Sequence, residues 1–150
     1  MRLFEMMDMN SWIEEATRFF HECESAKGWA ACKQYVAEET EFICQAESFS
    51  EVHTIEAYCD RIASVYDSVF REGADYVLEE VMHNDKGTVA FFGTSIVTHT
   101  GPEGPVAPNG KTARIHFAYF ISPDESGKVA KMIKVYDESQ ARRQLGWPAL

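Results

Sequence analysis

The chain has 150 residues, 45% of them hydrophobic and 25% charged, the make-up of one globular domain spanning residues 1–150. A chain this long buries about 70% of the surface its unfolded form exposes, so it needs no disulfide or metal staple. Its net charge of −10, from 24 acidic against 14 basic side chains, repels phosphate backbones and removes nucleic acid from the expected partners.

The first ten residues carry acidic side chains and no long apolar run, so no secretory leader is expected there. Ser11 and Glu14 form an S-x-x-E capping box, which predicts a helix start. Trp12, Ile13, Ala16, Phe19, Phe20 and Cys23 then follow with helical period. Gly28 is expected to break this helix, and residues 29–36 to form a short second one. The acidic run Glu38, Glu39 and Glu41 reads as a solvated turn before a short strand at residues 41–46. Thr54 reads as the N-cap of a third helix, whose stripe runs through Ile55, Tyr58, Cys59, Ile62, Val65, Tyr66 and Val69 to a stop at Gly73.

The second half is β-rich. Residues 74–82 and 88–99 form a hairpin across Asn84-Asp85-Lys86-Gly87. Residues 100–110, rich in Gly and Pro, read as a loop that leaves His99 exposed. A second hairpin joins residues 112–122 to 129–136, and Asp137 caps a last helix that ends at Gly146. Helices first and antiparallel strands afterwards predict an α+β fold with the helices on one face of the sheet. Alternation separates Arg114, His116, Ala118 and Phe120 from Ala113, Ile115, Phe117, Tyr119 and Ile121. The first set is expected to line a pocket. The second, apolar throughout, would then need a second subunit to cover it, so a homodimer through the outer sheet face is expected.

The cysteines Cys23, Cys32, Cys44 and Cys59 include no C-x-x-C pair, and no histidine joins them at zinc-finger spacing. His21, His53 and His83 lack a matching ligand set. No metal site, no cofactor and a reduced, cytoplasmic protein are therefore expected. Nothing approaches the ~20 apolar residues of a membrane span.

An ordered series of short motifs runs through the second half. It comprises Thr98-His99-Thr100-Gly101, Gly104, Pro108, Gly110-Lys111, Phe120, Gly127-Lys128, Asp137 and Gln144-Leu145-Gly146. With the helices before it, the series resembles the SnoaL-like (polyketide cyclase-like) family of the nuclear transport factor 2-like superfamily. The resemblance implies a cone-shaped α+β barrel, a strongly curved, mostly antiparallel sheet with N-terminal helices on its concave face around a small-molecule pocket. It also implies where catalytic carboxylates would lie, and those places hold Cys44, Ala118 and Lys134 here.

Candidate groups for chemistry are therefore His116, Lys134 and Tyr58. His116 would serve as a base or a donor to a ligand carbonyl, with a core histidine satisfied by a neighbouring hydroxyl as its plain reading, and a buried Lys134 as a base, an oxyanion partner or a carbonyl trap, with a snorkelling lysine as its plain reading. Tyr58 would donate to a ligand carbonyl, with core packing as its plain reading. Tyr66, Phe92, Phe120, Met132, Tyr136 and Cys44 are expected to line the pocket. The function expected is proton-transfer chemistry, without a cofactor, on a small apolar carbonyl compound. The alternatives are a non-catalytic binding module and a dimeric interaction domain whose cone is filled by Phe92, Phe120 and Tyr58.

Overall fold

The computed structural model of the protein describes residues 8–150. The expectation about a leader falls on the residues before these, largely outside the described part. Helix α1 (Met9–Glu24) starts earlier than the capping box predicts: Asp8 is its N-cap and accepts a hydrogen bond from the Asn10 N–H at 3.1 Å. Ser11 lies inside the first turn and donates to the same Asp8 carboxylate at 3.3 Å. A carboxylate at the cap satisfies the orphan donors and faces the positive end of the helix dipole, so it displaces the serine. The apolar stripe sits as expected, with Trp12, Ala16, Phe19, Phe20 and Cys23 at 0% exposure.

After a turn in which Ala26 adopts φ 61° and Gly28 φ 81°, helix α2 (Trp29–Cys32) is a single turn that runs into a 3₁₀ segment, Lys33–Tyr35. Strand β1 (Val36–Cys44) starts well before the expected strand, so Glu38, Glu39 and Glu41 belong to it rather than to a turn. β1 is a sheet edge, and exposed acidic side chains there discourage pairing with another chain. Helix α3 (Ile55–Ser68) is capped by Thr54, whose Oγ1 accepts from the Ala57 N–H at 3.2 Å.

Strands β2 (Ala74–His83), β3 (Val89–Thr98), β4 (Thr112–Pro123) and β5 (Val129–Tyr136) form an antiparallel meander, with β1 added parallel to β5. The order β1-β5-β4-β3-β2 leaves the sheet open. Helix α4 (Glu138–Leu145) is capped by Asp137, accepting from the Gln140 N–H at 3.0 Å, and stops at Gly146 in the left-handed conformation.

Which face of the sheet meets the helices is the reverse of the expectation. Ala113, Ile115, Phe117, Tyr119 and Ile121 are buried, whereas Arg114, His116 and Phe120 are exposed. The apolar stripes of α1 and α3 must be covered by apolar strand positions, and an inward Arg114 would be a buried charge without a partner. One core cluster joins Trp12, Phe20, Tyr58, Phe91, Tyr119 and Met132, and Phe20 stacks on Phe91 at 4.7 Å. A second joins Phe70, Val97, Ile115 and Leu145 beneath α4.

The loop motif acquires a physical meaning. His99 is fully buried, not exposed. It lies 2.8 Å from the Glu103 carbonyl at Nε2, while Nδ1 accepts from the Trp147 indole at 3.1 Å, which assigns the proton to Nε2. Gly101 donates to the Val69 carbonyl at 2.8 Å, and a Cβ there would sit 2.1 Å from the Ser68 carbonyl oxygen. Among the described residues, no helix is long and apolar enough to cross a membrane.

Candidate functional site

Between the two core clusters lies a cavity of about 460 Å³, with walls from α3, α4 and the inner faces of β3, β4 and β5. Its apolar surface includes Ile62, Val65, Phe70, Ile115, Phe117 and Leu145. Two polar groups interrupt it. In one, Ser48 donates through its N–H (3.2 Å) and hydroxyl to Glu138, and Arg61 donates to the Ser48 carbonyl at 2.7 Å. All of these partners are satisfied by one another.

The other group centres on Glu24, which no expectation included. Glu24 ends α1, is 5% exposed and lines the cavity. Its Oε2 accepts from the Tyr58 hydroxyl at 2.9 Å, and its Oε1 accepts from the Tyr119 hydroxyl. The two phenol oxygens are 3.0 Å apart. Lys134 reaches the same cluster from β5 and donates to Tyr58 Oη at 2.9 Å. Its ammonium lies 4.7 to 5.4 Å from the ring centroids of Phe49, Tyr58, Tyr119 and Tyr136, within cation–π range. No carboxylate among the described residues forms a salt bridge with it.

Burial holds the Lys134 ammonium below the ordinary lysine range, with the Glu24 charge opposing that shift. Burial, and then the Glu24 charge, push both the Tyr58 and Tyr119 phenols well up, and burial does the same to Tyr66. The phenols therefore remain protonated donors at neutral pH.

The structure brings Lys134 into hydrogen-bond contact with Tyr58, which is fully buried behind the wall with its hydroxyl given to Glu24 rather than to a ligand, and places Tyr66 and Tyr136 in the cavity wall. Met132 also points inward but is fully buried in the core beneath. Cys44 is the cross-strand neighbour of Lys134, yet it is half-buried in the wall of an adjoining cleft, where burial raises its thiol.

The side chains of His116, Phe92 and Phe120 lie on the outer face, although His116 also borders the cavity. The His116 ring stacks on Phe92 at 5.3 Å, and its Nδ1 is 3.3 Å from Thr94 Oγ1. Phe120 is 39% exposed. These three placements follow from the inverted assignment of the β4 faces, which also puts Tyr119 rather than Ala118 inside. The cone is thus not filled by Phe92 and Phe120. A signal for Glu24 did exist: it stands four residues after Phe20, so it continues the apolar stripe, and a carboxylate on a buried stripe needs a partner.

The fold is shared with solved structures named as NTF2-like and SnoaL-like proteins. A protein from Jannaschia sp. CCS1 named as a SnoaL-like polyketide cyclase superposes with a TM-score of 0.74 at 19% identity, over 93% of this chain and 94% of its own. AclR from Streptomyces galilaeus, named as a hydroxylase, gives 0.72 at 14% identity, covering 93% and 98%. An NTF2-like protein from Burkholderia thailandensis E264 gives 0.66 at 15% identity, covering 91% and 98%. No protein-family model matches the sequence, and no curated protein matches it.

Proposed function

We propose that the chain binds a small, mostly apolar carbonyl compound in its cavity and moves a proton on it, with Glu24 as base and Lys134 as oxyanion partner. The observation that carries this reading is the convergence of one carboxylate and one unpaired ammonium on the same apolar cavity, bridged by Tyr58. Lys134 spends one of its three N–H donors on Tyr58, which leaves two for a ligand oxygen. Each Glu24 oxygen accepts one hydrogen bond and keeps a second lone pair. Removal of a proton from the carbon beside the carbonyl puts it on Glu24 and negative charge on the carbonyl oxygen, where a desolvated ammonium counts most. Glu24 then returns the proton to the same or another carbon. The polyketide-cyclase name carried by one protein of this fold supports a carbonyl ligand.

The test is solvent-deuterium exchange at the activated carbon of a panel of enolisable ketones, followed by NMR. Wild-type protein is expected to exchange at least one panel member, and Glu24→Gln to lose about 100-fold or more. Equal exchange by the variant refutes Glu24 as base. A second reading, binding without turnover, draws on the two phenols that already occupy one acceptor site on each Glu24 oxygen. It predicts ligand-induced thermal stabilisation with no exchange.

We also propose that a second copy covers the outer sheet face. Ile43, Ile133, Phe120, Ala90 and Met82 are in register across all five strands. This uncharged row is the part of an acidic surface that another copy can approach without like-charge repulsion.

A further inference from the structure

Away from the cavity, three thiols gather at one point. Cys23 in the last turn of α1, Cys32 at the end of α2 and Cys59 in α3 have Sγ atoms all within 4.8 Å of one another, and Cys23 and Cys59 are 3.6 Å apart. All three are at 0% exposure, and all three are free thiols. Among the described residues, no other group of histidine, cysteine and carboxylate side chains is gathered closely enough to hold an ion.

The spacing matches a shared ligand better than a disulfide. Metal–thiolate bonds of about 2.3 Å put sulfur atoms about 3.8 Å apart around a tetrahedral ion and about 4.0 Å apart around a trigonal one. The 3.6 Å between Cys23 and Cys59, with all three sulfurs within 4.8 Å of one another, leaves room for either arrangement. A disulfide would draw two sulfurs to about 2.05 Å and leave the third unused. Each thiol comes from a different helix, so one ion would hold the ends of α1 and α2 to the second turn of α3. An all-sulfur donor set selects soft ions over calcium or magnesium.

We propose that Cys23, Cys32 and Cys59 form a site for one soft, thiophilic metal ion, represented by zinc(II). Cys23 adjoins Glu24, so the bound ion also anchors the helix end that carries the cavity's carboxylate. Helix α2, which carries Cys32, is a single turn preceded by the positive-φ residues Ala26 and Gly28.

The test uses reduced, chelator-stripped full-length protein with all thiols confirmed free. Cadmium(II) is titrated while the ultraviolet sulfur-to-metal charge-transfer band is followed, and zinc(II) affinity is read by competition with a chromophoric chelator. One equivalent per chain, a band of three-thiolate intensity and a higher Tm with zinc are expected. Cys32→Ser and Cys59→Ala, with folding checked by circular dichroism, should each weaken affinity more than about 100-fold, since even partners beyond the ligand shell change it about 10–100-fold. Cys44→Ser should bind as wild type. No charge-transfer band with the thiols reduced, or a band undiminished in Cys32→Ser, overturns the proposal.

Discussion

The relay from Lys134 through Tyr58 to Glu24 makes a quantitative prediction. Two hydrogen bonds of 2.9 Å in series keep the ammonium and the carboxylate within about 6 Å. Unit charges at that separation attract by ~3 kcal/mol at an effective dielectric of about 20. Water in the cavity weakens this, so an interaction energy of ~1–3 kcal/mol is expected from a double-mutant cycle of Lys134→Met and Glu24→Gln. Each single variant leaves one buried polar group without its counter-charge and should be destabilised. The double variant removes both and should lose less than the sum of the two. Urea unfolding at pH 7 measures all four proteins, with midpoints compared at a common slope. Additivity within about 0.5 kcal/mol would refute the relay and leave Lys134 and Glu24 as separate features of one wall.

The same lysine sets a pH dependence. Its folded pKa is lowered by burial, so between that value and the unfolded ~10.4 the unfolded chain binds more protons, and stability rises with pH. The contribution is complete above ~10.4 and is lost as pH falls through the folded value. The stability difference between wild type and Lys134→Met should slope accordingly, and a flat difference across alkaline pH counts against a desolvated ammonium. Gly101→Ala should cost about 1–3 kcal/mol, because its Cβ would meet the Ser68 carbonyl oxygen at 2.1 Å. Calorimetry should show Tm falling by about 2–4 °C per kcal/mol, and an unchanged Tm would contradict the loop packing. Phe120→Glu places a charge in the centre of the outer apolar row and should lower sedimentation mass to that of one chain. A dimer that persists in this variant rejects that face.

Much of the secondary structure was legible because its signals are local. The caps Thr54 and Asp137, the stop at Gly146 and the turn at Asn84–Gly87 each act through neighbours a few residues away. The inward direction of Lys134 was legible too, since period-2 alternation ties it to Met132 and Tyr136. Alternation divides β4 into two faces but does not say which one the helices cover. That depends on apolar stripes more than fifty residues earlier in the chain, and it moved His116, Phe92 and Phe120 outside while bringing Tyr119 in. Glu24 meets Tyr119 across 95 residues, and Cys23, Cys32 and Cys59 come from three helices with no recognisable spacing. Chain order by itself thus determined most of the helices, strands and turns, whose free energies are set by adjacent residues, but not the early start of β1, which its pairing with β5 decides. Only the tertiary structure decided which buried polar groups share a cavity, because burying a charge is tolerable only where distant partners arrive to satisfy it.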